Sequence, residues 1–309
     1  MVMKITYIDK LEFIRNEKCI AAIGQFDGFH LGHLKLIDET IKIAKELKYK
    51  SMLITMDPDP LNFITNQIIP CITSVEQRIK ICEDLGFDEI VILRVDKHFL
   101  NLTPNEFIND YLIKLNIHTL ICGFDYRFAN NASGNAYTLK SCTYFNTIVI
   151  DEYTYNNRKV STTFVKELLK LGDITTANSL LYSTFKVSGT VIHGDERGRQ
   201  LGYPTANLKS DVLYTELKKG VYLGYALIDD KKFLAMINVG VIPTFKDSKV
   251  LTIEGYILDF DNDIYDKHIE YEFIEYMRQE TKFNSKEQLV EQLDKDKKYL
   301  IEYKASCSK

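Results

Sequence analysis

His30 and His33 lie three residues apart in the stretch Gly24-Gln25-Phe26-Asp27-Gly28-Phe29-His30-Leu31-Gly32-His33. At that spacing one helical turn aims both imidazoles at a single anion. An apolar run over residues 19–23 precedes the stretch and reads as a buried strand. Residues 34–47 follow it with apolar side chains at helical spacing. Glycines and histidines therefore fall where a parallel strand ends and a helix begins, which in an open α/β sheet is the ligand crevice. Helix N-terminal amides attract anions there, and glycine lets the backbone approach a phosphate closely. The chain has only six histidines, so two in one glycine-rich turn point to phosphate chemistry rather than to helix capping alone.

Other stretches can converge on that turn. Thr55-Met56-Asp57-Pro58-Asp59-Pro60 follows the second expected strand, and its prolines predict a stiff extended loop at the crevice. Cys122-Gly123-Phe124-Asp125-Tyr126-Arg127-Phe128 follows another strand. Asp125 offers an acceptor and Arg127 a bidentate phosphate fork, while Phe124, Tyr126 and Phe128 offer faces to a planar ring. Val160-Ser161-Thr162-Thr163-Phe164-Val165-Lys166 opens a helix with hydroxyls and places a lysine one turn in, a second phosphate cradle.

The back half holds its own dense stretch, from Val191 to Leu208. Gly194, Gly198 and Gly202, with Arg197 and Arg199 among them, make a pliable cationic loop suited to phosphate. Thr205 and Asn207 are two apart, so in an extended segment both point the same way. Their hydroxyl and amide oxygens are hard ligands, suited to Mg²⁺ carried by ATP. Glu254 lies in a strand-like run, where a carboxylate can serve as general base for a substrate hydroxyl. Asn238-Val239-Gly240-Val241-Ile242-Pro243-Thr244-Phe245 reads as a turn lining the same pocket.

These groups need elements to hold them. Strands are expected over 19–23, 51–56, 89–94, 118–122 and 147–150, and helices over 34–47, 75–85, 104–115 and 136–143. Thr103-Pro104-Asn105-Glu106 is a capping-box start, and Ser74-Val75-Glu76-Gln77 is a similar one. Alternation of this kind predicts a parallel sheet with covering helices. Helices over 162–170 and 174–181 close the front half. The period changes near residue 184. Short apolar runs over 185–192, 220–228, 232–239, 252–258 and 269–276 then predict an antiparallel barrel or sandwich. Residues 285–303 form a charged amphipathic helix with Leu289, Val290, Leu293 and Leu300 as its buried stripe. Two domains result, 1–183 and 184–309.

Composition narrows the function classes. Hydrophobic content of 45% and charged content of 27% are ordinary for a soluble globular protein. The net charge of −4 argues against nonspecific nucleic-acid binding, which needs a basic surface. No apolar stretch approaches about 20 residues, so no membrane span is expected. The start Met1-Val2-Met3-Lys4-Ile5 has no signal-peptide architecture. The six cysteines form no CxxC pair, and Cys19 and Cys122 sit in apolar runs, which favours a reducing cytoplasm.

Taken end to end, the chain resembles the bacterial bifunctional riboflavin kinase/FAD synthetase family. The resemblance runs from the GxFDGxHxGH turn through the Ser161–Lys166 element to Gly202-Tyr203-Pro204-Thr205-Ala206-Asn207. It continues through Asn238, Gly240, Pro243 and Thr244, then Glu254 with Leu258-Asp259-Phe260, and Arg278 with Lys282-Phe283. It implies a Rossmann-like nucleotidylyltransferase domain followed by a six-stranded antiparallel β-barrel with a terminal helix. The back domain would phosphorylate riboflavin with Mg-ATP to FMN; the front domain would transfer AMP from ATP to FMN, giving FAD and pyrophosphate. By the same resemblance His30 and His33 bind the ATP phosphates. Gly24, Phe26, Asp27, Gly32, Ser161, Thr162 and Lys166 complete that nucleotide site, and Asp125, Arg127 and Phe128 hold the flavin. In the back domain Glu254 activates the ribityl hydroxyl and Thr205 and Asn207 hold Mg²⁺ with ATP. There Gly194, Arg197, Gly198 and Gly202 cradle phosphate, and Arg278 and Phe283 close over the flavin. The partners implied are small molecules only, with no nucleic acid and no membrane.

The sequence departs from the family pattern at Gln25 for asparagine, Asp59 for histidine, Ala129 for glycine and Lys166 for arginine. All lie in the front domain. A kinase with weakened adenylyl transfer therefore stands as the alternative, with a non-catalytic flavin-binding regulator behind it; an intact Glu254 speaks against the regulator.

Overall fold

The computed structural model describes residues 2–9, 14–194, 198, 201–210, 212–243 and 249–307, without the side chains of 241–243 and 249–251. The chain divides into two compact units, Met1–Ile69 with Thr73–Thr162, and Pro70–Ile72 with Thr163–Lys309.

The first unit contains β1 (Lys4–Ile8), β2 (Cys19–Ile23), α1 (Leu31–Leu47), β3 (Lys50–Asp57), α2 (Pro60–Ile64), α3 (Val75–Asp84), β4 (Glu89–Arg94), α4 (Lys97–Asn101), α5 (Pro104–Phe107), β5 (Ile117–Gly123), β6 (Arg127–Phe128), β7 (Gly134–Asn135), α6 (Ala136–Lys140), β8 (Asn146–Ile150), β9 (Thr154–Tyr155) and β10 (Arg158–Lys159). Six strands make one sheet in the order β1-β4-β3-β2-β5-β8, every pair parallel. All five residues of β2 are buried. Its Cys19, Ala21 and Ile23 enter a core with Phe107, Leu112 and Leu139. Its Ile20 and Ala22 enter the opposite core with Phe29, Ile37 and Ala44. Burial on both faces is what makes a parallel strand read as an unbroken apolar run. From β2 the chain steps outward through β3 and β4, then returns to the far side of β2 for β5. The switch point, where such folds place their ligands, thus lies at the carboxyl ends of β2 and β5.

Three local expectations for this unit change. β1 has no counterpart among the expected strands. It is the sheet edge and leaves Ile5 and Tyr7 each 47% exposed, so it carries no buried run. The helix expected over 104–115 starts at the Thr103–Glu106 capping box but is regular only to Phe107, after which Ile108–Leu112 forms a π-turn. Apolar spacing does not separate one wide turn from an α-turn. The prolines after β3 do not make an extended loop either. Asp59 caps α2 and Pro60 takes its first position, a site that suits proline's fixed φ.

The second unit contains most of α7 (Thr162–Leu171), then α8 (Ile174–Ser179), β11 (Lys186–Ile192), β12 (Thr205–Lys209), β13 (Gly220–Ile228), β14 (Lys231–Pro243), β15 (Lys249–Ile257), β16 (His268–Arg278) and a terminal helix, α9 (Lys286–Cys307). The strands close into a barrel in the order β11-β12-β15-β14-β13-β16, all antiparallel. Closure leaves no sheet edge unpaired. Tyr222, Tyr271 and Phe273 are fully buried, and Leu223, Leu234, Met236, Tyr256 and Leu258 pack with Leu300 of α9. The turn expected from Asn238 is instead the end of β14, which runs on to Pro243. Gly240 is a tight contact there and not a turn, since a Cβ would lie 2.6 Å from Thr252 Oγ1. Thr244 and Phe245 lie outside the described residues. No helix among the described residues is long and apolar enough to cross a membrane.

Candidate active sites

His30 is the N-cap of α1. Its backbone is extended, and its Nδ1 accepts the His33 amide at 3.3 Å. An imidazole that accepts at Nδ1 carries its proton on Nε2. The two rings stack, with centroids 3.7 Å apart and 18° between planes. Gly32 makes room for this, because a Cβ there would lie 3.1 Å from the His30 ring. Burial lowers the His30 pKa to about 4, against the opposing pull of Asp27. Burial, followed by the charges of His30 and Lys159, holds His33 well below its ordinary value. Both rings are therefore neutral near pH 7, and an arriving anion favours their protonation. His33 Nδ1 is buried without a hydrogen-bond partner among the described residues, the state of an atom that a ligand satisfies.

Distant side chains tie the turn down. Asp27 Oδ1 accepts the Thr73 amide at 2.9 Å and the Thr73 hydroxyl at 3.3 Å. Thr73 Oγ1 accepts the Gly28 amide at 2.9 Å. Thr162 Oγ1 donates to the Asp27 carbonyl at 3.2 Å, which joins the hydroxyl run to the histidine turn.

Across the switch point, β5 ends at Gly123, where a Cβ would come within 3.2 Å of Asp125 Oδ1. The exposed Asp125 forms an ion pair with Lys159 of β10. Lys159 Nζ also stands 4.6 Å from the centroid of the exposed Phe124 ring. The next residue, Val160, brings its carbonyl within 3.5 Å of the Gly32 Cβ position, and the Lys159 charge reaches both histidines. A lysine in a two-residue strand carries no motif signal, so sequence reasoning missed this cation. Arg127 is exposed on β6. Phe128 is only 7% exposed, its ring lying 5.1 Å from Phe107 and 5.8 Å from Tyr126. Of the three aromatic faces expected here, the open one is Phe124. A pocket of about 510 Å³ opens beyond β3, lined by Pro58, Asn62, Phe63, Ile68, Lys97 and Leu100.

Each departure from the family pattern has a local setting. Gln25 Nε2 donates to the Met56 carbonyl at 3.3 Å, while its Oε1 is buried without a partner among the described residues. Asp59 accepts the Leu61 amide at 2.8 Å as the cap of α2. Ala129 has φ 64° and ψ −174°, a region open essentially to glycine alone, with strain on the order of 1–3 kcal/mol. Lys166, in the second unit, donates to the Pro70 carbonyl.

In the second unit, strand register sets Asn207 of β12 and Asn238 of β14 on either side of Glu254 in β15. Asn238 Nδ2 donates to Glu254 Oε1 at 3.2 Å, and Thr205 Oγ1 donates to Oε2 at 3.4 Å. The carboxylate is half-buried and keeps lone pairs for a substrate hydroxyl. At Gly194 a Cβ would fall 2.2 Å from Asn207 Nδ2, so the loop backbone rests on that amide. Gly198 lies under the Tyr203 carbonyl and Gly202 is exposed; Arg197 is outside the described residues. A pocket of about 450 Å³ opens beside Thr205, lined by Val191, Pro204, Ile257, Phe260, Asp261 and Tyr265. Arg278 is held by Asp296, with Nε to Oδ1 at 3.0 Å and Nη2 to Oδ2 at 2.6 Å, and its Nη1 reaches the Gln279 carbonyl at 3.1 Å. Phe283 is half-buried in the loop before α9. Asp296 also went unread in the sequence, because it interrupts an apolar stripe.

Residues 13–164 match the family model described as FAD synthetase, and residues 181–304 match that described as riboflavin kinase. The bifunctional riboflavin kinase/FMN adenylyltransferase of Listeria monocytogenes is 34% identical over 90% of this chain and 90% of that protein. The one of Bacillus subtilis is 32% identical over 94% of each. The one of Buchnera aphidicola subsp. Schizaphis graminum is 36% identical over 93% of this chain and 95% of its own. A crystal structure of a Streptococcus pneumoniae protein described as a macrolide-efflux protein aligns with TM-score 0.86 at 29% identity, over 96% of this chain and 98% of that one.

Proposed function

The chain belongs to the bifunctional riboflavin kinase/FMN adenylyltransferase family, and we propose which of its residues carry each reaction. It phosphorylates riboflavin to FMN with ATP, then adenylylates FMN to FAD with release of pyrophosphate.

The kinase reaction belongs to residues 184–309. Glu254 takes the proton of the ribityl hydroxyl as that oxygen bonds to the γ-phosphorus of ATP and ADP leaves. Asn238 orients the carboxylate. Thr205 and Asn207 hold the Mg²⁺ that ATP carries, since their oxygens are hard donors on one face of β12. No group of three His, Cys, Asp or Glu side chains among the described residues forms a metal cage, which suits an ion held mainly by phosphate. Bound there, Mg²⁺ would offset phosphate charge. The pocket beside Thr205 receives the nucleotide along Gly194, Arg197, Gly198 and Gly202. Arg278 and Phe283 close on the flavin. The convergence of Thr205 and Asn207 of β12 on Glu254 of the neighbouring β15 carries this assignment.

Adenylyl transfer belongs to residues 1–183. A phosphate oxygen of FMN attacks the α-phosphorus of ATP and pyrophosphate leaves. His30 and His33 stabilise the charge that gathers on the transferred group, as donors already fixed in place. Gly24, Phe26, Asp27, Gly32, Ser161 and Thr162 form the nucleotide cradle, and the Lys166 that the family pattern adds lies in the second unit. Asp125 and Arg127 form the FMN side with the exposed Phe124 ring in place of the buried Phe128, and with Lys159 as a further cation. Weakened adenylyl transfer is a second reading, favoured by the strained Ala129 and by the engagement of Lys166 with Pro70. A reducing compartment such as the cytoplasm fits the six cysteines, which are all free thiols.

The test is purified protein with riboflavin, ATP and Mg²⁺, followed by chromatography of the flavins. FAD accumulation is expected. His33→Ala is expected to stop at FMN, and Glu254→Gln to form FAD only from supplied FMN. Loss of FMN formation in folded His33→Ala, or of FAD formation from supplied FMN in folded Glu254→Gln, would sink the separation of roles.

A further inference from the structure

Arg78 lies in the first turn of α3, just after the Ser74 cap, and is 5% exposed. A cation in that place is disfavoured twice, by desolvation and by the positive end of the helix dipole. No carboxylate pairs with it within ion-pair distance among the described residues. Asp57 is near enough to feel its charge, though burial dominates and holds that carboxyl above its ordinary pKa. The guanidinium instead grips backbone. Nη1 donates to the Gln25 carbonyl at 3.1 Å, to Thr55 Oγ1 at 2.8 Å and to the Met56 carbonyl at 3.2 Å. Thr55 Oγ1 adds its own bond to the Gln25 carbonyl at 2.9 Å. These acceptors lie where β2 and β3 run out into the crevice.

The Gln25 carbonyl thus has two donors and a fixed direction. Across a planar trans peptide, the amide of the following residue points the opposite way. That residue is Phe26, with a positive φ of 51°, and its N–H meets no acceptor among the described residues. An unpaired amide in a glycine-rich turn ahead of a helix is an anion donor. A neutral side chain could fill the space under the turn at less desolvation cost. All three bonds come from the single nitrogen Nη1, while Nε is buried without a partner among the described residues, so what the site uses is a donor nitrogen at the end of a long side chain.

We propose that Arg78 is a positioning residue for adenylyl transfer: by gripping the Gln25 carbonyl it fixes the Phe26 amide as a donor to the phosphates of ATP. The inference rests on the reading of the Gly24–His33 turn as the ATP site. It is tested by steady-state FAD synthesis from FMN and Mg-ATP with Arg78→Met, and with riboflavin phosphorylation measured on the same preparation. The expected result is a rise of about tenfold in KM for ATP, with KM for FMN and the kinase rate unchanged. A role confined to holding the fold would lower kcat through the fraction of competent enzyme and leave KM for ATP alone. An unchanged KM for ATP in Arg78→Met overturns the proposal. Should that variant fail to fold, Arg78→Gln decides. Its shorter neutral side chain keeps a donor amide but loses the reach to the Gln25 carbonyl, and an unchanged KM for ATP there overturns the proposal equally. If the unsubstituted chain forms no FAD at all, the ATP-site reading falls and takes this inference with it. FAD formation with an indifferent Arg78 overturns this inference alone.

Discussion

His30 and His33 are neutral, stacked and mostly enclosed, an arrangement that ties the site to pH. His30 titrates at 6.5 when unfolded and at about 4 when folded. Its folded pKa is depressed, so the unfolded chain binds more protons between those values. The stability it contributes is fully present above pH 6.5 and is lost as the pH falls toward 4. A shift of this size amounts to about 3 kcal/mol. Urea unfolding across that window should therefore show a steeper loss for the unsubstituted chain than for His30→Asn, which keeps a capping side chain but removes the titration. Equal slopes would exclude this burial as the source. The spacing of the pair was legible because both residues belong to one turn. Their stacking was not, because it depends on the extended cap conformation at His30. Lys159 and Arg78 were illegible for another reason: neither sits in a motif, and each acts on residues remote in sequence.

At the scale of elements, α9 shows how a correct periodicity can hide its most informative position. Of the expected buried stripe Leu300 is buried and Leu289, Val290 and Leu293 are half-buried, while the unexpected Asp296 is only 4% exposed. It receives Arg278 from the end of β16 and the amide of Gln292 at 2.9 Å. The two partners are not equivalent. Arg278 keeps 21% of its side-chain surface in water against 4% for Asp296, so Arg278 can swing outward if released while the carboxylate cannot. Arg278→Met should then destabilise the apo protein by about 3 kcal/mol or more and Asp296→Ala by less, measured as chemical denaturation of each variant. The reverse order would show that the guanidinium, not the acid, is the trapped charge. Other elements were legible in proportion to their burial. β2 through β5 were read from apolar runs, whereas the half-exposed edge strand β1 was not. Asn238 was mistaken for a turn residue because Gly240 and Pro243, ordinarily punctuation, sit inside β14.

At the scale of the whole molecule, the chain carries two chemistries in sequence, and the product of one is the substrate of the other. The described residues assigned to the kinase, from Gly194 to Phe283, all belong to the second unit. Those assigned to adenylyl transfer belong to the first, apart from Lys166. Equimolar Glu254→Gln and His33→Ala proteins should therefore form FAD from riboflavin when mixed, though neither does so alone, since FMN released by one can be used by the other. Flavin chromatography of the mixture checks this. A mixture that stops at FMN while the unsubstituted chain proceeds to FAD would mean that FMN is used only by the chain that makes it.

The sequence by itself determined the chemical vocabulary: a histidine pair on a glycine turn, hydroxyls opening a helix, Thr205 and Asn207 on one face of a strand, and a carboxylate at Glu254. Such patterns survive in sequence because their geometry is local, set by helical turns and strand pleats. Only the tertiary structure decided which of these groups meet and what supports them. Asn238 reaches Glu254 through barrel register. Arg78 reaches the histidine turn from α3, between β3 and β4, Lys159 from the separate β9–β10 ribbon, and Asp296 reaches Arg278 through the docking of a helix. Those contacts join residues separated by long stretches of chain, and no local spacing encodes them.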